Sequence, residues 1–310
     1  MILLKQMIIL FMIMLVGIIC RKKKLFTDEG CRVISALVVN VANPALILSA
    51  SMNKDSVVKG KELLFVAGLS LAIYLFVILM AIIIAKLLRV DIEDAGTYRV
   101  MTVFSNIGFM GFPLVSAVYG AEALLYASFF LIPYNVLIYT WGISAMSSGK
   151  KSKEDANAES GVAWNKIFNI GVIACIITII IYLTQIRVPE YINSVVVHLS
   201  NLTAPLSMLV IGDSIAKMDF KSLVTDKKLI GFSLIKQIVI PVIGVSIIKL
   251  LGLSYEMTGV CLIMLATPVG SMTAMLAQQY DGDYELASKG VALTTVMSVA
   301  TIPLVSFLLM

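Results

Sequence analysis

Two short stretches of this chain place helix-breaking residues and polar side chains inside otherwise apolar sequence. The first reads Ser105-Asn106-Ile107-Gly108-Phe109-Met110-Gly111-Phe112-Pro113, and the second Ala266-Thr267-Pro268-Val269-Gly270-Ser271-Met272-Thr273. Proline lacks a backbone donor and clashes with the preceding turn, and glycine lowers the cost of leaving the helix. The residue before a proline avoids the α region, so the second stretch is expected to open at Thr267. Pro113 suits the first turn of a helix that restarts after the first break. A restarted helix presents unpaired N–H groups and the positive end of its dipole, which attract an anion. Asn106, Thr267, Ser271 and Thr273 would supply polar side chains, and Gly108, Gly111, Pro113, Pro268 and Gly270 the opened backbone. The chemistry this favours is reversible binding of an anion.

Ionisable groups inside apolar runs are costly and need a partner or a use. Lys236, followed by Gln237 and Pro241, is one such group; Asp213, preceded by Gly212, is another. Their similar depth allows an Asp213–Lys236 ion pair. The alternatives are that Lys236 lends its charge to a carboxylate substrate or snorkels to the membrane surface. Asn135, beside Pro133 and Tyr134, is a candidate for lining a cavity or for bonding a neighbouring helix. His198 is the one histidine, and Cys20, Cys31, Cys175 and Cys261 are scattered without a CxxC spacing. No metal or other cofactor is expected, nor is a Ser/His or metal-dependent hydrolase. Asn201-Leu202-Thr203 matches a glycosylation signal but falls within a span and is discounted.

The elements that must position these residues follow from composition. Hydrophobic residues make up 59% of 310 and charged residues 14%, against about 45–50% and 25% in a soluble domain. The chain is therefore read as an all-α integral membrane protein with the bilayer as its solvent. The +5 net charge shows no basic stripe with interleaved aromatics, so no nucleic-acid partner is expected. A membrane helix needs about 20 apolar residues. Ten runs qualify: 2–20, 33–52, 63–85, 99–118, 122–146, 166–184, 194–216, 228–251, 256–280 and 285–309. The polar stretch 147–165 divides them into 1–146 and 166–310 and reads as a linker. With the N-terminus outside, seventeen of the 24 Lys and Arg fall in cytoplasmic loops and six outside, so both termini are expected outside the cytoplasmic membrane. The basic cluster Arg21–Lys24 follows the first apolar run instead of preceding it, so no cleavable signal is expected.

A constant offset of 161 relates Asn40-x-x-x-Pro44 to Asn201-x-x-x-Pro205, Thr97 to Thr258, Tyr119 to Tyr280 and Lys5 to Lys166. Two five-span units of equal length result. Because five is odd, the second enters the membrane from the opposite side. Such inverted repeats belong to secondary transporters, and matched breaks in corresponding spans point to the transport site.

These residues, in order, resemble the auxin efflux carrier family of bacterial membrane transporters, relatives of the plant PIN-type auxin carriers. The matching segments are Asn40-Val-Ala-Asn-Pro44, Ser105 to Pro113, Lys236-Gln-Ile-Val-Ile-Pro241, Ala266-Thr-Pro268, and Ala287-Ser-Lys-Gly-Val-Ala-Leu-Thr-Thr ahead of Thr301-Ile-Pro303. The resemblance implies a bile-acid-symporter-like fold of ten helices in two inverted repeats. Spans one, two, six and seven would form a scaffold, often a homodimer, and spans three to five and eight to ten a moving transport domain. Spans four and nine would cross at their breaks, with an organic anion beside the crossing. The short linker groups the chain with bacterial carriers, for which malate and malonate are proposed substrates. At the 161 offset Thr267 stands opposite Asn106, so the two halves of the site are chemically unequal.

The function expected is transport of a small organic carboxylate by alternating access. A cation-coupled symporter of the bile-acid type is a second reading, although no carboxylate stands near Asn106 or Thr267 to hold sodium. A ligand sensor that binds without transporting is a third.

Overall fold

The computed structural model describes residues 2–52, 60–147, 168–218, 225–280 and 282–310. The expected linker 147–165, apart from Ser147, lies outside the described residues. So do the loop residues Lys54, Lys59, Lys150, Lys151, Lys153, Lys166 and Lys221. All named elements among the described residues are helical. In chain order they are α1 (Ile2–Lys22), α2 (Asp28–Ser49), α3 (Gly60–Leu87), α4 (Ile92–Val103), α5 (Ile107–Gly120) and α6 (Glu122–Ser147). There follow α7 (Ile170–Thr184), α8 (Glu190–Ala216), α9 (Lys227–Lys249), α10 (Tyr255–Ala266), α11 (Met272–Gln279) and α12 (Tyr284–Leu309). Seven are long and apolar enough to cross a membrane, and three shorter apolar helices are α5, α7 and α10. Together they account for the ten expected runs, with the fourth split into α4 and α5 and the ninth into α10 and α11.

Several helices start outside the expected apolar limits because polar first turns belong to them. Thr27 caps α2, its Oγ1 accepting the Gly30 N–H at 3.0 Å, and Asp28 and Glu29 complement the helix dipole. Glu93 and Asp94 do the same for α4, which starts seven residues before the apolar run. Between α5 and α6 the chain turns at Gly120, whose φ of +84° a side chain would resist.

Three prolines are accommodated by the same device. Pro44, Pro113 and Pro241 are each preceded by a π-helical turn: Val38–Ala42, Ile107–Gly111 and Ile235–Val239. In each case the residue before the proline donates to the carbonyl five residues back. The extra residue moves the carbonyl that the proline ring would strike, and relieves the missing donor.

The second part of α8, Thr203–Ala216, packs closely on α1, and α2 lies against both α7 and α8. Without a hydrophobic drive between helices in lipid, close backbone approach at small residues holds them. A Cβ on Gly212 would run into the Met14 carbonyl, and one on Gly17 into the Leu209 carbonyl. Gly212→Ala is therefore expected to destabilise the protein by about 1–3 kcal/mol through overpacking. It should melt earlier in detergent, whereas Gly68→Ala, with open space at its Cβ, should melt as the parent does.

The same helices meet in a charge cluster at one end. Arg21 and Lys217 both pair with Asp213 and with Asp28; Lys217 Nζ lies 2.9 Å from Asp213 and 2.8 Å from Asp28. Burial pulls the Lys217 ammonium towards neutrality, but its hydrogen bonds to the two carboxylates outweigh this and hold its pKa above the ordinary lysine value.

Candidate functional site

The breaks of the fourth and ninth spans meet. Ser105 and Val269 form an antiparallel bridge, in which Asn106 N donates to the Pro268 carbonyl at 2.7 Å and Gly270 N donates to the Phe104 carbonyl at 2.9 Å. Each break thus satisfies backbone groups that the other leaves open, which is the condition for irregular backbone at membrane depth. Thr267 is opened as its proline requires, with φ −59° and ψ 146°. The bridge pairs residues at an offset of 164, so Gly270, and not Thr267, takes the place corresponding to Asn106. A Cβ on Gly270 would press at 3.1 Å on the Phe104 and Ser105 carbonyls, so the close approach of the chains favours glycine there.

Asn106 caps α5: its Oδ1 accepts the Phe109 N–H at 3.2 Å, and its own carbonyl accepts from Met110 and Gly111. The helix accordingly restarts at Ile107, and Pro113 lies beyond the π turn instead of in the first turn. The expected place of Pro113 is corrected by that turn, which lets the helix begin before the proline. Gly108 and Gly111 lie in the restarted turn, and the Gly111 position faces the Met264 side chain. In the ninth span Thr267 Oγ1 donates to the Met264 carbonyl at 3.2 Å and Thr273 Oγ1 to the Gly270 carbonyl at 2.6 Å, while Ser271 is exposed at the start of α11.

Lys236 reaches this crossing from α9. Its Nζ donates to Ser105 Oγ at 2.7 Å and to the Leu265 carbonyl at 3.2 Å, and the residue is 1% exposed. The Leu265 carbonyl is available because of the break: Val269 N, four residues on, donates instead to Thr294 Oγ1 at 3.0 Å. A cavity of about 10 Å³, lined by Ser105, Lys236, Leu265, Tyr74 and Phe130 among others, adjoins the ammonium. That is about the room one water needs. A larger cavity of about 440 Å³ lies away from the crossing, among the ends of α2 and α7 and the start of α8.

The Asp213–Lys236 ion pair that their depth allows is not formed. Gly212 brings α8 against α1, so Arg21 at the end of α1, together with Lys217, meets Asp213. Lys236 is turned to α10 and the crossing, where both of its partners are neutral oxygens, and it does not snorkel. Gln237 braces its neighbours: its Nε2 donates to the Thr294 carbonyl, and its Oε1 accepts from Thr301 Oγ1 at 2.8 Å. Asn135 is not gathered at the crossing. It accepts from Asn169 Nδ2 at 2.5 Å and donates to the Leu131 carbonyl at 2.8 Å; Asn169 in turn caps α7. Its bonds thus link α6 to the start of α7.

The family model described as membrane transport protein matches residues 2–306. The chain belongs to that family. It is the auxin efflux carrier family to which the motifs point. The transporter is also similar to two curated proteins, each titled an uncharacterized transporter. One, from Methanocaldococcus jannaschii, is 24% identical over 98% of this chain and 97% of its own length. The other, from Methanothermobacter thermautotrophicus, is 23% identical over 96% of this chain and 95% of its own.

Three residues of the transporter's crossing were not among the candidates: Ser105, which accepts from Lys236, and Thr294 and Thr301, which fix the break and Gln237. Ser105 adjoins Asn106, and both threonines lie in matching family segments, but serine and threonine are common in membrane helices. Only the fold distinguishes those that meet a break from those that bond their own helix.

Proposed function

We propose that the transporter moves a small organic carboxylate across the cytoplasmic membrane by alternating access, with the anion held at the crossing. The observation that carries this reading is a buried lysine ammonium without an acidic partner among the described residues, placed where two opened helices exchange backbone hydrogen bonds. A buried cation bonded only to neutral oxygens is costly, and an arriving carboxylate would supply the missing charge. Helix starts at Ile107 and Met272 add favourable dipole ends. The residues placed at the solute are Asn106, Gly108, Thr267, Pro268, Gly270, Ser271 and Lys236, with Gly111, Pro113 and Gln237 shaping the surround.

The division into a scaffold of spans one, two, six and seven and a transport domain of the other six belongs to the same proposal. It is supported by the packing of α1, α2, α7 and α8 on one another and by the Arg21–Asp213–Lys217–Asp28 cluster within that group. Motion of one group against the other would expose the crossing to alternate sides. The excess of Lys and Arg on one side supports termini outside the cytoplasm, and the lipid-facing scaffold surface is where a second copy would pack.

The test is uptake into proteoliposomes of malate, malonate, succinate and indole-3-acetate, with and without pH, sodium and voltage gradients. Saturable uptake of at least one carboxylate, reduced at least tenfold by Asn106→Ala, is expected. Folded, inserted protein that takes up none of them under any gradient would overturn the proposal. Ligand binding retained in that case would favour a sensor.

A further inference from the structure

Four buried side-chain oxygens have no hydrogen-bond partner among the described residues: Asn193 Oδ1, beside the larger cavity, and three nearer the crossing on α2 and α8, Asn43 Oδ1, Thr203 Oγ1 and Ser207 Oγ. Asn43, Thr203 and Ser207 are 8%, 1% and 0% exposed. Other hydroxyls of the helices bond a carbonyl three or four residues back, as Ser70, Thr102, Ser128, Ser233 and Ser298 do. Thr203 and Ser207 do not, and an unbonded polar group in an apolar interior is unfavourable.

Geometry brings the three to about one level. The 2.8 Å ion pair between Asp28 and Lys217 fixes α2 and α8 at one level, with the helices antiparallel. From that level, at 1.5 Å per residue, Asn43 lies about 22 Å along α2 and Thr203 about 21 Å along α8. Ser207 is one turn from Thr203 on the same face. That face is turned away from α1, since Ser207 is rotated about 140° from Gly212, where α1 packs. The first turn of α5 packs against α8 from Thr203 onward, and a Cβ on Gly108 in that turn would lie 3.5 Å from the Asn43 amide. Asn43 and the face of α8 bearing Thr203 and Ser207 thus stand across from the restarted helix of the crossing.

We infer that Asn43, Thr203 and Ser207 form the second half of the solute site, and that they hold a hydroxyl group of the solute. The substrate class is then a hydroxylated carboxylate. This rests on the reading of the crossing as a carboxylate site. A carboxylate offers only acceptors, so it cannot satisfy Asn43 Oδ1; a hydroxyl both donates to that oxygen and accepts from Thr203 or Ser207. The charged end goes to Lys236 and the opened helix starts, and the hydroxylated carbon faces α2 and α8.

The test compares solutes differing by one hydroxyl, malate against succinate and lactate against propionate, as initial uptake into proteoliposomes. The hydroxylated member of at least one pair is expected to be taken up at least tenfold faster at subsaturating concentration, because a site built to bond a hydroxyl rejects the analogue lacking it. In Asn43→Ala, and separately in Ser207→Ala, that ratio should fall towards one. Thr203→Val keeps shape and removes only the hydroxyl, and should lower the ratio likewise; Gly68→Ala should leave it unchanged. Melting in detergent shows that each variant is folded. Uptake of carboxylates with no hydroxyl preference, or a preference that survives all three substitutions, overturns this inference and leaves the carboxylate reading standing. Uptake of none of the four solutes overturns this inference, and the carboxylate reading falls with it only if malonate and indole-3-acetate are not taken up either.

Discussion

Lys236→Met is expected to abolish carboxylate transport while leaving the folded protein as stable as the parent, or more stable. The two effects have one cause. Lys236 is buried, its ammonium meets Ser105 Oγ and the Leu265 carbonyl, and no carboxylate of the described residues balances its charge. Methionine has similar length and removes the desolvation penalty, and replacing buried ionic groups by apolar ones of like volume is often neutral or stabilising. If the solute anion is the counter-charge, removing the cation costs about 2–5 kcal/mol of binding, or roughly 30-fold or more in affinity. Lys236→Arg keeps the charge but brings a planar fork where a compact ammonium fits, so it should transport poorly and melt earlier. Uptake kinetics and a melting curve on the same preparations check this. A Lys236→Met variant that melts earlier but transports with unchanged affinity would make the lysine a structural residue.

A second large effect is expected at a residue that touches no solute. Thr294 Oγ1 accepts the N–H of Val269, which the break deprives of its helical partner, and donates to the Gly290 carbonyl at 2.7 Å. Thr294→Val keeps the shape and removes the acceptor, leaving a buried N–H unsatisfied at a cost of about 1–3 kcal/mol. Val269 N would then compete for the Leu265 carbonyl that Lys236 holds. The expected result is an earlier melt together with a fall in maximal uptake of tenfold or more. Thr294→Ser, which retains the hydroxyl, should recover most of the uptake. If Thr294→Val loses stability but transports at the parental rate, the hydroxyl does not set the geometry of the crossing.

Much of this architecture was legible in the sequence because lipid imposes a simple code. Ten apolar runs, and breaks in the fourth and ninth, follow from hydropathy and from proline and glycine chemistry alone. What was not legible depends on rotation and register. Asp213 and Lys236 have similar depth, but depth does not say which way a side chain faces; the Gly17–Gly212 contact turns Asp213 to Arg21. The 161 offset aligns the loops, yet the bridge is set at 164, because strand-like pairing at the breaks follows backbone donors and not residue identity. Pro113 marks the fourth span as irregular but not the place of its break, since a π turn separates the proline from the cap at Asn106. The polar first turns at Asp28 and Ile92 lie outside any hydropathy window. Asn43, Thr203 and Ser207 look ordinary in sequence; only the lack of bonding partners sets them apart.

The most direct measurement is the accessibility of the crossing from each side of the membrane. A single cysteine at Gly108, where an added Cβ meets only the Asn43 amide at 3.5 Å, is tolerated sterically and lies in the first turn of α5. It would be placed in a background with Cys20, Cys31, Cys175 and Cys261 replaced, in vesicles of defined orientation, and treated with an impermeant maleimide from one side or the other. Gly108→Cys should be labelled from both sides, and a transported carboxylate should slow labelling from each. Labelling from one side alone, or labelling that no carboxylate affects, would mean that the crossing is not an alternately exposed solute site.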